Sequence, residues 1–141
     1  MSSMGRVDKR SFRRSVDALG DIFDFADEFV AREELDAKAE FAIKFVVEEL
    51  FTNMVKYNVD GSNDIEISMQ HVPSRLTLQM VDFDVDSFDP ESLEDVDISL
   101  PIEDRVPGGL GLHLVKSMVD DIKFDYTDRN MKITVIKNLE R

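Results

Sequence analysis

Glu49 and Asn53 stand four residues apart in a stretch, Ala37 to Tyr57, that contains neither glycine nor proline. On a helix that spacing puts both side chains on one face. Phe45 lies one turn before them and Tyr57 one turn after. Phe41, Ala42, Ile43, Val46, Val47, Leu50, Phe51, Met54 and Val55 cover most of the remaining circumference, which reads as a buried helix. A carboxylate and an amide in such a helix must be paired to be tolerated. One reading is structural: Glu49 bridges a lysine and Asn53 satisfies a loop carbonyl. The other is chemical: the stripe faces a polar cavity. There the asparagine oxygen can ligate Mg²⁺, a hard cation that takes oxygen ligands and keeps several waters. A glutamate one turn earlier can polarise a nucleophilic hydroxyl or water.

Asp82 closes a run of apolar alternation, Leu76, Leu78 and Met80. An acid at a strand end often just starts a loop. It can also accept a hydrogen bond from an adenine amino group, worth about 1.5–3 kcal/mol when the acceptor is charged. Gly108, Gly109 and Gly111 open a further helical stretch. Glycines let backbone N–H groups turn tightly and approach a ligand, and a helix N-terminus favours phosphate. The turn lacks the Lys-Ser/Thr of a P-loop and does not follow a strand as a dinucleotide fingerprint does. Arg105, just upstream, can pair with a phosphate or with Glu103 or Asp104. His71 and His113 show no metal-ligand spacing.

The 141 residues fit one domain, spanning 1–141, with a single sizeable core. Hydrophobic residues make up 43% and charged residues 33%, a globular composition. The net charge of −13 opposes direct binding to nucleic acid or an anionic membrane, and suits a basic protein surface as partner. The absence of cysteine excludes disulfides and thiol catalysis and agrees with a cytoplasmic setting. No apolar run approaches membrane-spanning length, and the polar, basic Met1–Arg14 stretch has no secretory h-region.

The pattern along the chain predicts the scaffold. Residues 1–10 read as a flexible start and Ser11–Val16 as a short edge strand. Helical spacing covers Asp17–Arg32, with Asp17 or Asp21 as cap, and then Ala37–Tyr57. Alternation through Ile65, Ile67 and Met69, and again through Leu76, Leu78 and Met80, predicts a hairpin across His71–Ser74. Residues 84–104 carry nine carboxylates and no basic residue, and Pro90 and Pro101 break them. Two more strands, about Ile122–Tyr126 and Met131–Ile136, flank the turn Asp128–Asn130. The expected fold is α+β: a two-layer α/β sandwich, with a mainly antiparallel mixed sheet covered by helices on one face.

The order of these pieces carries a resemblance. Glu49-Leu50-Phe51-Thr52-Asn53, then Val81-Asp82 with Ser87-Phe88-Asp89-Pro90, then Gly108-Gly109-Leu110-Gly111-Leu112-His113-Leu114-Val115, resembles the ATP-binding domain shared by histidine kinases and gyrase-type ATPases. Within that superfamily, the GHKL or Bergerat fold, it looks most like the bacterial anti-sigma factor and serine-protein kinase family. The likeness covers about Phe12 to Ile136. It implies that Asn53 holds the Mg²⁺ that bridges ATP phosphates and that Glu49 is the base toward a substrate serine. It implies that Asp82 reads adenine and that Gly108, Gly109 and Gly111 cradle phosphates. Arg105 would sit in an ATP lid spanning 84–107. The implied partners are an anti-sigma factor antagonist, which is phosphorylated, and a sigma factor, which is sequestered; the protein itself would be a homodimer. One departure stands out: the family's Asp-x-Gly is here Asp82-Phe83-Asp84, which makes Asp84 a second candidate for the adenine contact. The alternative function is a non-catalytic binding module with weak or absent ATP binding.

Overall fold

The computed structural model describes residues 6–57, 63–84 and 109–139. Strand β1 (Val7–Phe12) leads through a single 3-10 turn (Val16–Ala18) into α1 (Leu19–Glu33) and α2 (Ala37–Tyr57). The hairpin β2 (Ile65–Val72) and β3 (Arg75–Asp82) follows, then α3 (Gly109–Met118) and the hairpin β4 (Asp121–Thr127) and β5 (Asn130–Asn138). The strands form one sheet in the order β1-β2-β3-β5-β4, and all four ladders are antiparallel. Where the sequence pattern left room for a mixed sheet, no parallel pair occurs among the described residues.

Periodicity placed α2 and the β2–β3 hairpin closely. The hairpin loop is shorter than expected: His71 and Val72 stay in the ladder, and the turn is Pro73–Ser74, with Ser74 at φ 69°. The edge strand lies earlier than Ser11–Val16. Val7 to Phe12 pair with Gln70 to Ile65, so part of the expected flexible start joins the sheet. Its apolar signal is poor because only Phe12 is buried. Neither Asp17 nor Asp21 caps α1. Ser15 Oγ accepts from the Asp17 N–H and so caps the 3-10 turn, which delivers the chain directly into the helix.

The core lies between the helical layer and one sheet face. Ile22, Phe25, Ala26 and Phe29 come from α1; Ile43, Val46, Val47, Leu50, Phe51 and Met54 from α2. Ile65, Ile67 and Met69 of β2, Leu76, Leu78 and Met80 of β3, and Met131, Ile133 and Val135 of β5 meet them. Both α1 and α3 pack on α2, which is why α2 is apolar on three sides. Its fourth side faces out: Phe41 is 63% exposed and stacks on Phe45, with ring centroids 6.1 Å apart. Full burial of that position, implied by the sequence pattern, is therefore not observed. Replacing the fully buried Phe29 by alanine is expected to destabilise the domain by about 3–5 kcal/mol, read as a lower urea midpoint at unchanged slope.

Candidate functional site

Glu49 and Asn53 sit on successive turns of α2, near its C-terminal end. Asn53 is 5% exposed, yet neither its Oδ1 nor its Nδ2 completes a well-formed hydrogen bond among the described residues. A buried amide in that condition is costly and calls for a ligand, an ion or water. Glu49 is half-buried. Burial raises its pKa above the usual carboxylate range; the Lys56 charge and the nearby Asn53 amide pull it back in part, and Glu48 adds a small push upward. The amide is thus close enough to favour the charged carboxylate without forming a well-aligned bond to it. A carboxyl poised upward is better suited to accepting a proton near neutral pH than an ordinary glutamate.

Asp82 ends β3 on the core-facing side, in alternation with Leu76, Leu78 and Met80. Its ladder partners are Ile65 and Met131, and its exposure is zero. A carboxylate there needs a cation, and Arg14 supplies it. The Arg14 side chain, 6% exposed, reaches in from the link between β1 and the 3-10 turn and forms an ion pair with Asp82. Its Nη1 also donates to the Met54 carbonyl at 3.2 Å. Burial lowers the arginine's pKa from its ordinary value, but an arginine stays protonated in proteins. Breaking such a pair by removing one partner typically costs about 3–5 kcal/mol. Arg14 thereby ties the end of β3 to the last turns of α2. The sequence motifs do not include it. Its parity with Phe12 across the expected Ser11–Val16 strand was the available signal, since Phe12 faces the core.

Asp84 belongs elsewhere. Its backbone adopts φ 53°, the left-handed region a glycine enters freely and an aspartate tolerates better than most residues. Its N–H donates to Asn130 Oδ1 at 3.1 Å, and its carboxylate pairs with Arg129 Nε at 2.8 Å. That side chain is 69% exposed and turned toward the β4–β5 turn, away from the buried Asp82. Gly109 and Gly111 fall in the first turn of α3, whose Val115 is buried in the core beside α2. Arg105, Gly108 and most of the expected lid lie outside the described residues.

Cavities among the described residues open elsewhere. One of about 340 Å³ lies at the α1–α2 link among Glu34, Asp36, Lys38, His71 and Lys137. Another, of about 520 Å³, lies on the outer sheet face among Lys9, Glu66, Gln79 and Lys132. Neither is lined by Glu49, Asn53 or Asp82. No helix among the described residues is long and apolar enough to cross a membrane.

The helical layer on an antiparallel sheet, with an acid–amide pair on the middle helix and a buried aspartate at a strand end, can be set against known proteins. The histidine kinase-like ATPase domain family matches residues 12–137. The chain belongs to this family. It is also similar to the serine-protein kinase RsbW of Halalkalibacterium halodurans, 33% identical over 103 residues, covering 70% of this chain and 62% of that protein. The serine-protein kinase RsbW of Listeria monocytogenes is 31% identical over 101 residues, covering 67% and 63%. The same-named kinase of Bacillus anthracis is 31% identical over 104 residues, covering 70% and 64%. The chain thus spans less than two thirds of the length of these relatives. Asn53, an oxygen donor without a well-formed hydrogen bond, is the described residue that would hold a magnesium ion were one bound. No group of three or more His, Cys, Asp or Glu able to hold a metal occurs among the described residues.

Proposed function

We propose that this domain binds ATP with Mg²⁺ and phosphorylates a serine of an anti-sigma factor antagonist, and that it sequesters a sigma factor in the cytoplasm, as a homodimer. The observation that carries this reading is the pairing, one helical turn apart, of a buried amide lacking a well-formed partner with a glutamate whose pKa is pushed up. Asn53 would hold the ion. Glu49 would take the proton from the attacking serine hydroxyl. Mg²⁺ and the nucleotide supply charge neutralisation and the phosphoryl group when bound. The glycine-bearing first turn of α3 offers backbone N–H donors to phosphate oxygens.

Asn53→Ala is expected to weaken Mg²⁺-dependent ATP binding at least tenfold while leaving the melting temperature unchanged or higher, because it removes a buried polar group without a good partner. Calorimetric titration with and without Mg²⁺ checks this; equal affinity in the variant would rule the residue out as an ion ligand. The kinase reading itself is tested by incubating the purified chain with labelled ATP, Mg²⁺ and candidate antagonists. A second reading, a binding module that holds its partner without phosphorylating it, is favoured by one observation: Asp82 is sealed by Arg14. Tight partner binding with no detectable ATP binding would select it.

A further inference from the structure

Arg14 has no part in the chemistry above, yet it occupies the residue that would read the base. Two of the contacts that hold its guanidinium are independent of each other. One is the ion pair with Asp82, whose side chain has zero exposure. The other is the Met54 carbonyl, at 3.2 Å. That carbonyl lies in the last described turn of α2. The positive charge also meets the negative end of the helix dipole. An amino group on a neutral purine offers one hydrogen bond in exchange for both holds, so it does not displace the arginine. The arginine itself belongs to no regular element. It sits in the link Arg13–Ser15 between β1 and the 3-10 turn, closed locally by the Ser15 N–H to the Arg13 carbonyl at 2.8 Å. It can swing out without breaking a strand or a helix.

We infer that Arg14 is a latch on the base end of the nucleotide pocket: while it holds Asp82, the domain engages a nucleoside triphosphate through its phosphates and does not read the purine amino group. This rests on the ATP reading above. Withdrawal of Arg14 opens Asp82 to the base and raises affinity and selectivity together. The latch makes nucleotide occupancy conditional on whatever draws the β1 link away from the sheet.

The experiment compares three probes by calorimetry in the presence of Mg²⁺: ATP, inosine triphosphate, which carries a carbonyl where ATP has the amino group, and tripolyphosphate, which has no base. In the wild-type domain ATP and inosine triphosphate are expected to bind within about twofold of each other. A wild-type preference for ATP of about tenfold or more, the size of one charge-assisted hydrogen bond, overturns the latch and leaves the nucleotide reading intact. In Arg14→Gln, ATP is expected to tighten about tenfold with tripolyphosphate unchanged; an unchanged ATP affinity in a folded variant also overturns the latch. If Arg14→Gln does not fold, the wild-type comparison decides alone. If neither protein binds ATP or tripolyphosphate, the nucleotide reading fails and the latch with it.

Discussion

Glu49→Gln is expected to lower the rate of phosphoryl transfer about 10²–10⁴-fold, the usual contribution of a positioned base, with Mg²⁺–ATP affinity kept within a few-fold. It is also expected to melt no lower than the wild-type domain at neutral pH. The sign follows from the direction of the shift. Burial raises the Glu49 pKa in the folded state above its value in the unfolded chain. The folded protein therefore holds the proton more tightly. The stability this contributes is fully present below the unfolded pKa and is lost as pH rises through the folded one. The wild-type chain pays that penalty at neutral pH and the amide does not. Melting curves of both proteins from about pH 4 to 8 should diverge as pH rises through and above the ordinary carboxylate range. The rate profile should show its acid limb above that range. Full activity in Glu49→Gln would remove the glutamate from the chemistry, and parallel melting curves would remove the burial argument. Since Glu49 is only half-buried, the divergence should be modest.

The largest stability effect is expected at Arg14. Arg14→Ala should cost about 3–5 kcal/mol, because it leaves the Asp82 carboxylate buried without its cation. In a domain of ordinary stability, about 5–15 kcal/mol, this is a large fraction of the total. Replacing both partners, Arg14→Met with Asp82→Leu, should recover most of the loss, since apolar replacement of a buried ion pair is often neutral or better. A double-mutant cycle in urea measures the coupling. If Arg14→Ala unfolds at the wild-type midpoint, the ion pair does not hold the sheet to α2 in solution. Part of the expected loss belongs to the Met54 carbonyl, which loses its donor as well.

Much of the scaffold was legible because its signals are local. The α2 helix has no breaker between Ala37 and Tyr57, and the β2–β3 pair alternates strictly, so period alone located them. Glu49 and Asn53 were legible for the opposite reason, as polar residues in an apolar stripe. Arg14 was not, because nothing near it in sequence demands a cation; the demand comes from Asp82, which meets it only in the folded sheet. The same holds for Asp84. Its place in the Asp82-Phe83-Asp84 motif makes it a second candidate for the adenine contact, but its positive φ and its bonds to Arg129 and Asn130 fasten it to another hairpin. Phe41 was misread because helical periodicity does not reveal that a helix flanked on two sides keeps a free back.

The sheet order has a kinetic corollary. Two hairpins, β2–β3 and β4–β5, each form from neighbours in sequence, and such closures take microseconds. The seam between them, β3 with β5, sets Asp82 against Met131 and Arg75 against Asn138. Folding speed is accordingly expected to depend on the two remote ladders, this seam and the pairing of β1 with β2, while the two ribbons are ready early. Because closure entropy grows only logarithmically, each doubling of the intervening chain adds about 0.6 kcal/mol. The stretch between the two central strands is therefore where this architecture absorbs insertions most cheaply, and divergence in length there need not trouble the strands it joins.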